Sequence, residues 1–175
     1  MSDSDQRFPK VVEEMPPVEI SREPVFRCAE NQAAIAYWQS KCRGRAMPAR
    51  ADIDPTEMRP FLPHVGLVET PDGSAARPDY RIALAGSAIE SVLGPLTGRL
   101  LQEAVPPMIA RRWRSVYEVA VTEAVPIRAT SRVSFEAKNF LMAELLVAPL
   151  TGDPGRVDTL FVSLAFWSQT GGVTS

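Results

Sequence analysis

The sequence predicts an α+β fold, a five-stranded antiparallel sheet with helices on one face and a further helix at its N-terminal flank. Three observations carry this. Two strand-like runs are followed by a block of helical segments and then by three more strand-like runs. The connections within each strand group are short and turn-rich, which favours antiparallel neighbours over parallel crossovers. Grouped helices in mid-chain have one sheet face to cover. The chain's 175 residues, 45% of them hydrophobic, are enough for one domain with its own core.

Residues 1–27 combine charge with prolines at 9, 16, 17 and 24, and their scattered apolar side chains are too few to offset the entropy of ordering. A flexible arm is expected there, a single domain over 28–168 and a flexible tail over 169–175. Ile35, Trp38 and Cys42 recur at helical spacing until Gly44 and Pro48 end the run. In the stretch that follows, Asp54 suits an N-cap, Pro55 the first helical position and Glu57 the third position of a capping box. Pro60 and Pro63 hold that helix to about two turns. "VGLVE" begins a strand, and after a polar turn Tyr80, Ile82 and Leu84 alternate with Arg81 and Ala83 as its hairpin partner. "GSAIESVLG" and "PLTGRLLQEAVPP" read as brief helices and tight turns. Ile109, Trp113, Val116, Tyr117 and Ala120 form one stripe of a longer helix ending before Pro126. Strands are expected near 126–135, 140–149 and 158–167, joined through "EAKN" and "TGDPGR".

Composition removes several classes of function. A net charge of −2 and a pI near 5.5 give no electrostatic reason for nucleic acid binding. The N-terminal residues lack the order of a secretory signal, and no segment approaches the ~20 apolar residues of a membrane span. A cytoplasmic protein without membrane insertion is expected. Cys28 and Cys42 have no metal-site spacing and are expected as reduced structural thiols, and His64 is the only histidine, so no metal centre is assigned. "GPLTGR" lacks the lysine of a phosphate loop. In "ARRWRSVYEV", Arg111, Arg112 and Arg114 read as a solvated face beside a core tryptophan.

The segments "YWQSKCRGRAMPARADIDPTEMRPFLPHVGLVE" and "DYRIALAGSAIESVLGPLTGRLLQE", with the later "LLVAPL", carry a resemblance over roughly residues 30–165. Tyr-Trp, Pro-x-Arg-x-Asp-Ile-Asp-Pro, Leu-Pro, Tyr-Arg-x-x-x-x-Gly and Leu-x-Gly at these spacings resemble a family of short bacterial, mostly alphaproteobacterial, PAS-type proteins. The resemblance implies a PAS-like curved sheet able to enclose a small ligand, flanks that carry homodimer or protein-partner contacts, and a sensory or scaffolding role in signal transduction. No output domain is expected beyond "FWSQTGGVTS", and a signal is expected to leave through a partner or through self-association. No catalytic residue and no cofactor is assigned. The rival readings are a small α+β pocket enzyme of the isomerase or dehydratase type, using Glu144 or His64 with an aspartate, and a ligand-free adaptor.

With "EAKN" as the connection of the late hairpin, Phe135 faces Phe140, Val133 faces Met142, Ser131 faces Glu144 and Ala129 faces Leu146. Glu144, Ser131 and Met142, with Leu84, Ile89 and Arg99, make up the candidate pocket under the helices. The bland alternative is a carboxylate satisfied by Arg81, Arg99 or a helix end, because a buried unpaired charge is costly. A slip of one residue would turn Glu144 to the other face. Arg50, Asp52, Asp54 and Pro55 are expected to form a structural joint; Asp52 and Asp54, two apart on an extended segment, point to opposite sides and do not make a carboxylate pair. Apolar residues on both faces of the hairpin require a second cover, assigned to Ile35, Trp38 and Cys42 of the first helix, within the chain or exchanged across a dimer.

Overall fold

Leu141–Thr151 and Val157–Ser168 are the longest strands of the chain, largely apolar on both faces, and pair with each other along their length, forming the central strands β5 and β6. The computed structural model describes residues 17–133, 141–152 and 155–168. Around the central pair the sheet is completed by β1 (Glu19–Ser21), β2 (Val65–Glu69), β3 (Arg81–Ala85) and β4 (Ile127–Arg132), every pairing antiparallel, in the order β1-β4-β5-β6-β2-β3. The helices are α1 (Ala29–Cys42), α2 (Ser87–Leu93), α3 (Leu101–Ala104) and α4 (Pro107–Glu123).

Among the described residues the sheet has six strands, not the expected five. The sixth, β1, comes from the segment read as an arm: three residues aligned with Arg128 to Thr130 of β4. Its stability is not local. Val18 and Ile20 pack against the core, and Arg22 is ion-paired with Glu123 at the end of α4. A three-residue edge strand leaves almost no periodic signal, since its backbone partners belong to a strand more than a hundred residues away.

Both faces of the sheet are covered. On one, Ala34, Ile35 and Trp38 of α1 pack with Leu67, Leu146, Ala148, Leu150 and Phe161, and Trp38 donates its indole N–H to the Pro149 carbonyl at 3.0 Å. On the other, Ile89, Leu101, Ile109, Val116, Tyr117 and Ala120 of α2 to α4 pack with Val68, Ile82, Ile127, Val147, Leu160 and Val162. Each strand shows opposite parities to the two layers, as the pleat requires.

The residues assigned to an interface belong to the chain's own core. Ile35 and Trp38 are 6% and 4% exposed against the sheet, and the half-buried Cys42 turns its thiol to the Trp38 carbonyl. They fill, within the chain, the face that the apolar side of β5 leaves open.

Candidate functional site

Between α4 and the sheet lies a cavity of about 130 Å3. Ile89, Ile109 and Val116 bound it from the helices and Leu84, Leu145, Val162 and Phe166 from the strands, with small residues, Gly66, Ala129 and Ala143, giving it depth. Room exists because these positions are small: a methyl group added at Gly66 would stand 2.7 Å from Val162. The wall is almost wholly apolar. Its polar groups gather at the β4 side, where Arg112 from α4 donates to Ser131 Oγ and Thr130 and Arg132 lie alongside. Burial pulls the Arg112 guanidinium below the ordinary arginine value, and among the described residues no carboxylate is paired with it.

Ser131, Leu84 and Ile89 of the predicted set line this cavity; Glu144, Met142 and Arg99 do not. The cause is register. Thr130 pairs with Glu144, Ser131 with Ala143 and Arg132 with Met142, one residue away from the pairing expected from the "EAKN" turn. The Phe135–Phe140 pairing and the turn itself lie outside the described residues. A one-residue shift exchanges the faces of a strand. It brings Ala143 and Leu145 into the cavity and sends Glu144 to the side covered by α1.

There Glu144 is fully buried and fully engaged. Its two oxygens accept the backbone N–H of Arg27 at 2.8 Å and of Cys28 at 2.9 Å, the amide of Asn31 at 3.1 Å and the Arg128 Nε at 2.8 Å. Asn31 also donates to the Glu144 backbone carbonyl at 2.8 Å. Cys28 is the N-cap of α1 and contributes no side-chain cap of its own. A carboxylate from β5 therefore satisfies donors at the head of α1, where the helix dipole also favours negative charge. Burial by itself raises the pKa of Glu144; the backbone donors, Arg128 and Asn31 outweigh it and hold the group below the usual glutamate range. A carboxylate so enclosed, on the face away from the cavity, has no open position from which to move a substrate proton.

The expected joint takes a different form from its prediction. Asp52 accepts from Arg45 at 2.6 Å and from the Ala49 N–H at 2.9 Å, whereas Arg50 is exposed. Asp54 caps the short 3-10 turn Pro55–Met58 through the Thr56 N–H at 2.9 Å. Glu57 does not close a capping box: it accepts from the Tyr37 hydroxyl at 2.8 Å and from Lys41 at 2.6 Å, while Tyr37 in turn accepts the Asp54 N–H at 2.9 Å. These bonds fasten α1 to the segment that leads into β2. Successive prolines divide that segment into one-turn pieces, Arg50–Asp52, Pro55–Met58 and Leu62–His64. His64 is part of the same framework, its Nδ1 2.9 Å from the Leu164 carbonyl. Among the described residues no cluster of three metal-ligating side chains occurs, and no helix is long and apolar enough to cross a membrane.

The residue that sequence reasoning missed is Arg112. It stands three positions after Ile109 and four before Val116, inside the apolar stripe of α4. The neighbouring Arg111 and Arg114 disguised it as one of three solvated charges; Arg111 is exposed, and Arg114 is taken up by Asp79.

An antiparallel sheet with a helical layer over a partly open cavity defines a pocket-bearing α+β domain. Residues 26–165 match the model of the PAS domain, and the chain belongs to that family. Among solved structures it is similar to an RNA-binding light-oxygen-voltage receptor, at 20% identity and a TM-score of 0.41, over 68% of this chain and 35% of that one. It is also similar to a fungal LOV-domain photoreceptor, at 16% identity and a TM-score of 0.38, over 60% of this chain and 76% of that one. The chain thus spans about a third of the length of the RNA-binding receptor. No curated protein matches it.

Proposed function

We propose that this chain is a non-enzymatic PAS-type sensory or regulatory domain that takes a small molecule into the cavity beneath α4 and reports its presence to a protein partner. The single observation that carries the reading is the cavity itself: about 130 Å3 of apolar space with its polar groups gathered at one side. Binding sites have this character, apolar walls for affinity and a few polar groups for orientation. Family membership supports the regulatory half of the reading. The route outward is α4, which forms one cavity wall and is tied at its far end to β1 through the Glu123–Arg22 pair, so a shift of the helix reaches the sheet edge.

Native mass spectrometry of protein purified from its own host tests the proposal, together with a filled-cavity variant, Ala143→Leu. The expected result is an added small-molecule mass on the wild type that is lost in Ala143→Leu while the fold persists. Equal spectra from the two proteins, with no bound mass in either, overturn it.

A further inference from the structure

We infer that the molecule the cavity takes is a small monocarboxylate whose apolar body is a single ring or a short acyl chain, its carboxylate held by Arg112, which Ser131 orients by accepting one of its N–H bonds while donating its own hydroxyl to the Arg132 carbonyl at 3.0 Å. The inference rests on the proposed reading that the cavity receives a ligand, and adds its chemical class.

Size sets the first limit. A volume of about 130 Å3 is close to the ~150 Å3 apolar cavity known to hold benzene. It matches one six-membered ring or a chain of comparable bulk. Charge sets the second. Arg112 reaches the cavity from α4, and its partner among the described residues is the uncharged Ser131 hydroxyl. Among the described residues, Glu19, opposite Thr130 on β1, is exposed, and three further carboxylates are committed elsewhere. Asp79 accepts both a 3.0 Å and a 2.8 Å bond from Arg114, Glu144 is bound by Arg128 on the opposite face of the sheet, and Glu123 is paired with Arg22. Glu118, on α4 itself, is exposed.

A half-buried guanidinium has lost much of its hydration, and a desolvated cation facing apolar space is stabilised by an anion. The planar fork of arginine keeps four N–H donors after the bond to Ser131, enough for a two-point pairing with a carboxylate. One cation of this kind matches one negative charge. A neutral hydrocarbon would leave the guanidinium without a counter-ion beside an apolar wall.

The test uses the full chain in isothermal titration with two pairs of probes, benzoate against benzamide and hexanoate against hexanol. Wild type is expected to prefer each carboxylate over its neutral partner. Arg112→Gln is expected to weaken the carboxylates by about tenfold or more and to leave the neutral probes unchanged. Circular dichroism verifies the fold of the variant; if Arg112→Gln does not fold, the wild-type comparison within each pair decides alone. Neutral probes binding as tightly as the carboxylates overturn the inference while the cavity remains a binding site. Failure of all four probes, with no added mass on protein from the native host, overturns the inference and the underlying reading together.

Discussion

The Glu144 carboxylate on β5 accepts the backbone N–H of Cys28, 2.9 Å away at the head of α1, one of several bonds that join the two layers on that side of the sheet. The group is buried and charged, with four donors on its two oxygens. An amide in its place keeps one oxygen and turns the other into a donor, so either Arg27 N–H and Arg128 or Cys28 N–H and Asn31 lose their acceptor and face another N–H group. Glu144→Gln is expected to lower the unfolding free energy by about 2–4 kcal/mol, measured by urea denaturation at neutral pH. The folded pKa of Glu144 lies below its unfolded value of about 4.3. Its contribution is therefore complete above the unfolded pKa and is lost as pH falls through it toward the folded one. Between pH ~6 and ~3 the stability of wild type should fall more steeply than that of Glu144→Gln. Parallel slopes would show that the carboxylate is not held as described.

The same neighbourhood silences a thiol. Burial, and then the charge of Glu144, push Cys28 up to about 11. Thiolate is the reactive form, so at pH ~8 the native protein should react at this position about a hundredfold more slowly than the unfolded chain. Ellman's reagent with a Cys42→Ser background reads the rate of Cys28 alone. Glu144→Gln should accelerate it, because the repelling charge is gone. A native rate equal to the unfolded one would contradict the environment described for Cys28.

Much of this architecture was legible in residues that act through local rules. Alternation placed β3, short apolar runs between turns placed the other strands from β2 to β6, the Ile109 to Ala120 stripe placed α4, and Asp54 with Pro55 marked a helical start. What was not legible depends on distant partners. The position of Glu144 turned on the hairpin register, which a single residue in the connection decides and which no property of Glu144 itself announces. β1 owes its existence to the free edge of β4. Arg112 was hidden by its neighbours, although its place in the apolar stripe is visible once α4 is known to face a cavity.

Asp79 fastens the helical layer to the sheet. It is 5% exposed, accepts two bonds from Arg114 on α4 and a third from the Gln102 N–H on α3 at 3.1 Å, and immediately precedes Tyr80 and β3. Burial raises its pKa, but Arg114 and the backbone N–H groups of Tyr80 and Gln102 lower it more. Asp79→Asn is expected to cost about 1–3 kcal/mol. In a double-mutant cycle with Arg114→Gln the two changes should couple strongly, since the second removes a partner already lost. Additive effects would mean that the fork is not formed in solution.

Gly86 closes the Tyr-Arg-x-x-x-x-Gly motif, and its reason is contact, not conformation. Its φ of −66° suits any residue, yet an added Cβ would stand 2.2 Å from the Pro63 carbonyl oxygen and 2.6 Å from that of Leu62. Both are backbone atoms of the turn before β2, and the Gly86 N–H itself donates to the Val65 carbonyl at 2.8 Å. Neither side can yield without moving that turn. Gly86→Ala is expected to destabilise by about 1–3 kcal/mol, seen as a lower urea midpoint with an unchanged slope. Because the clash lies on the turn and not on the α4 wall, benzoate should still bind the folded variant as it binds wild type. An unaltered midpoint would show that α2 and the Leu62–His64 turn do not meet this closely.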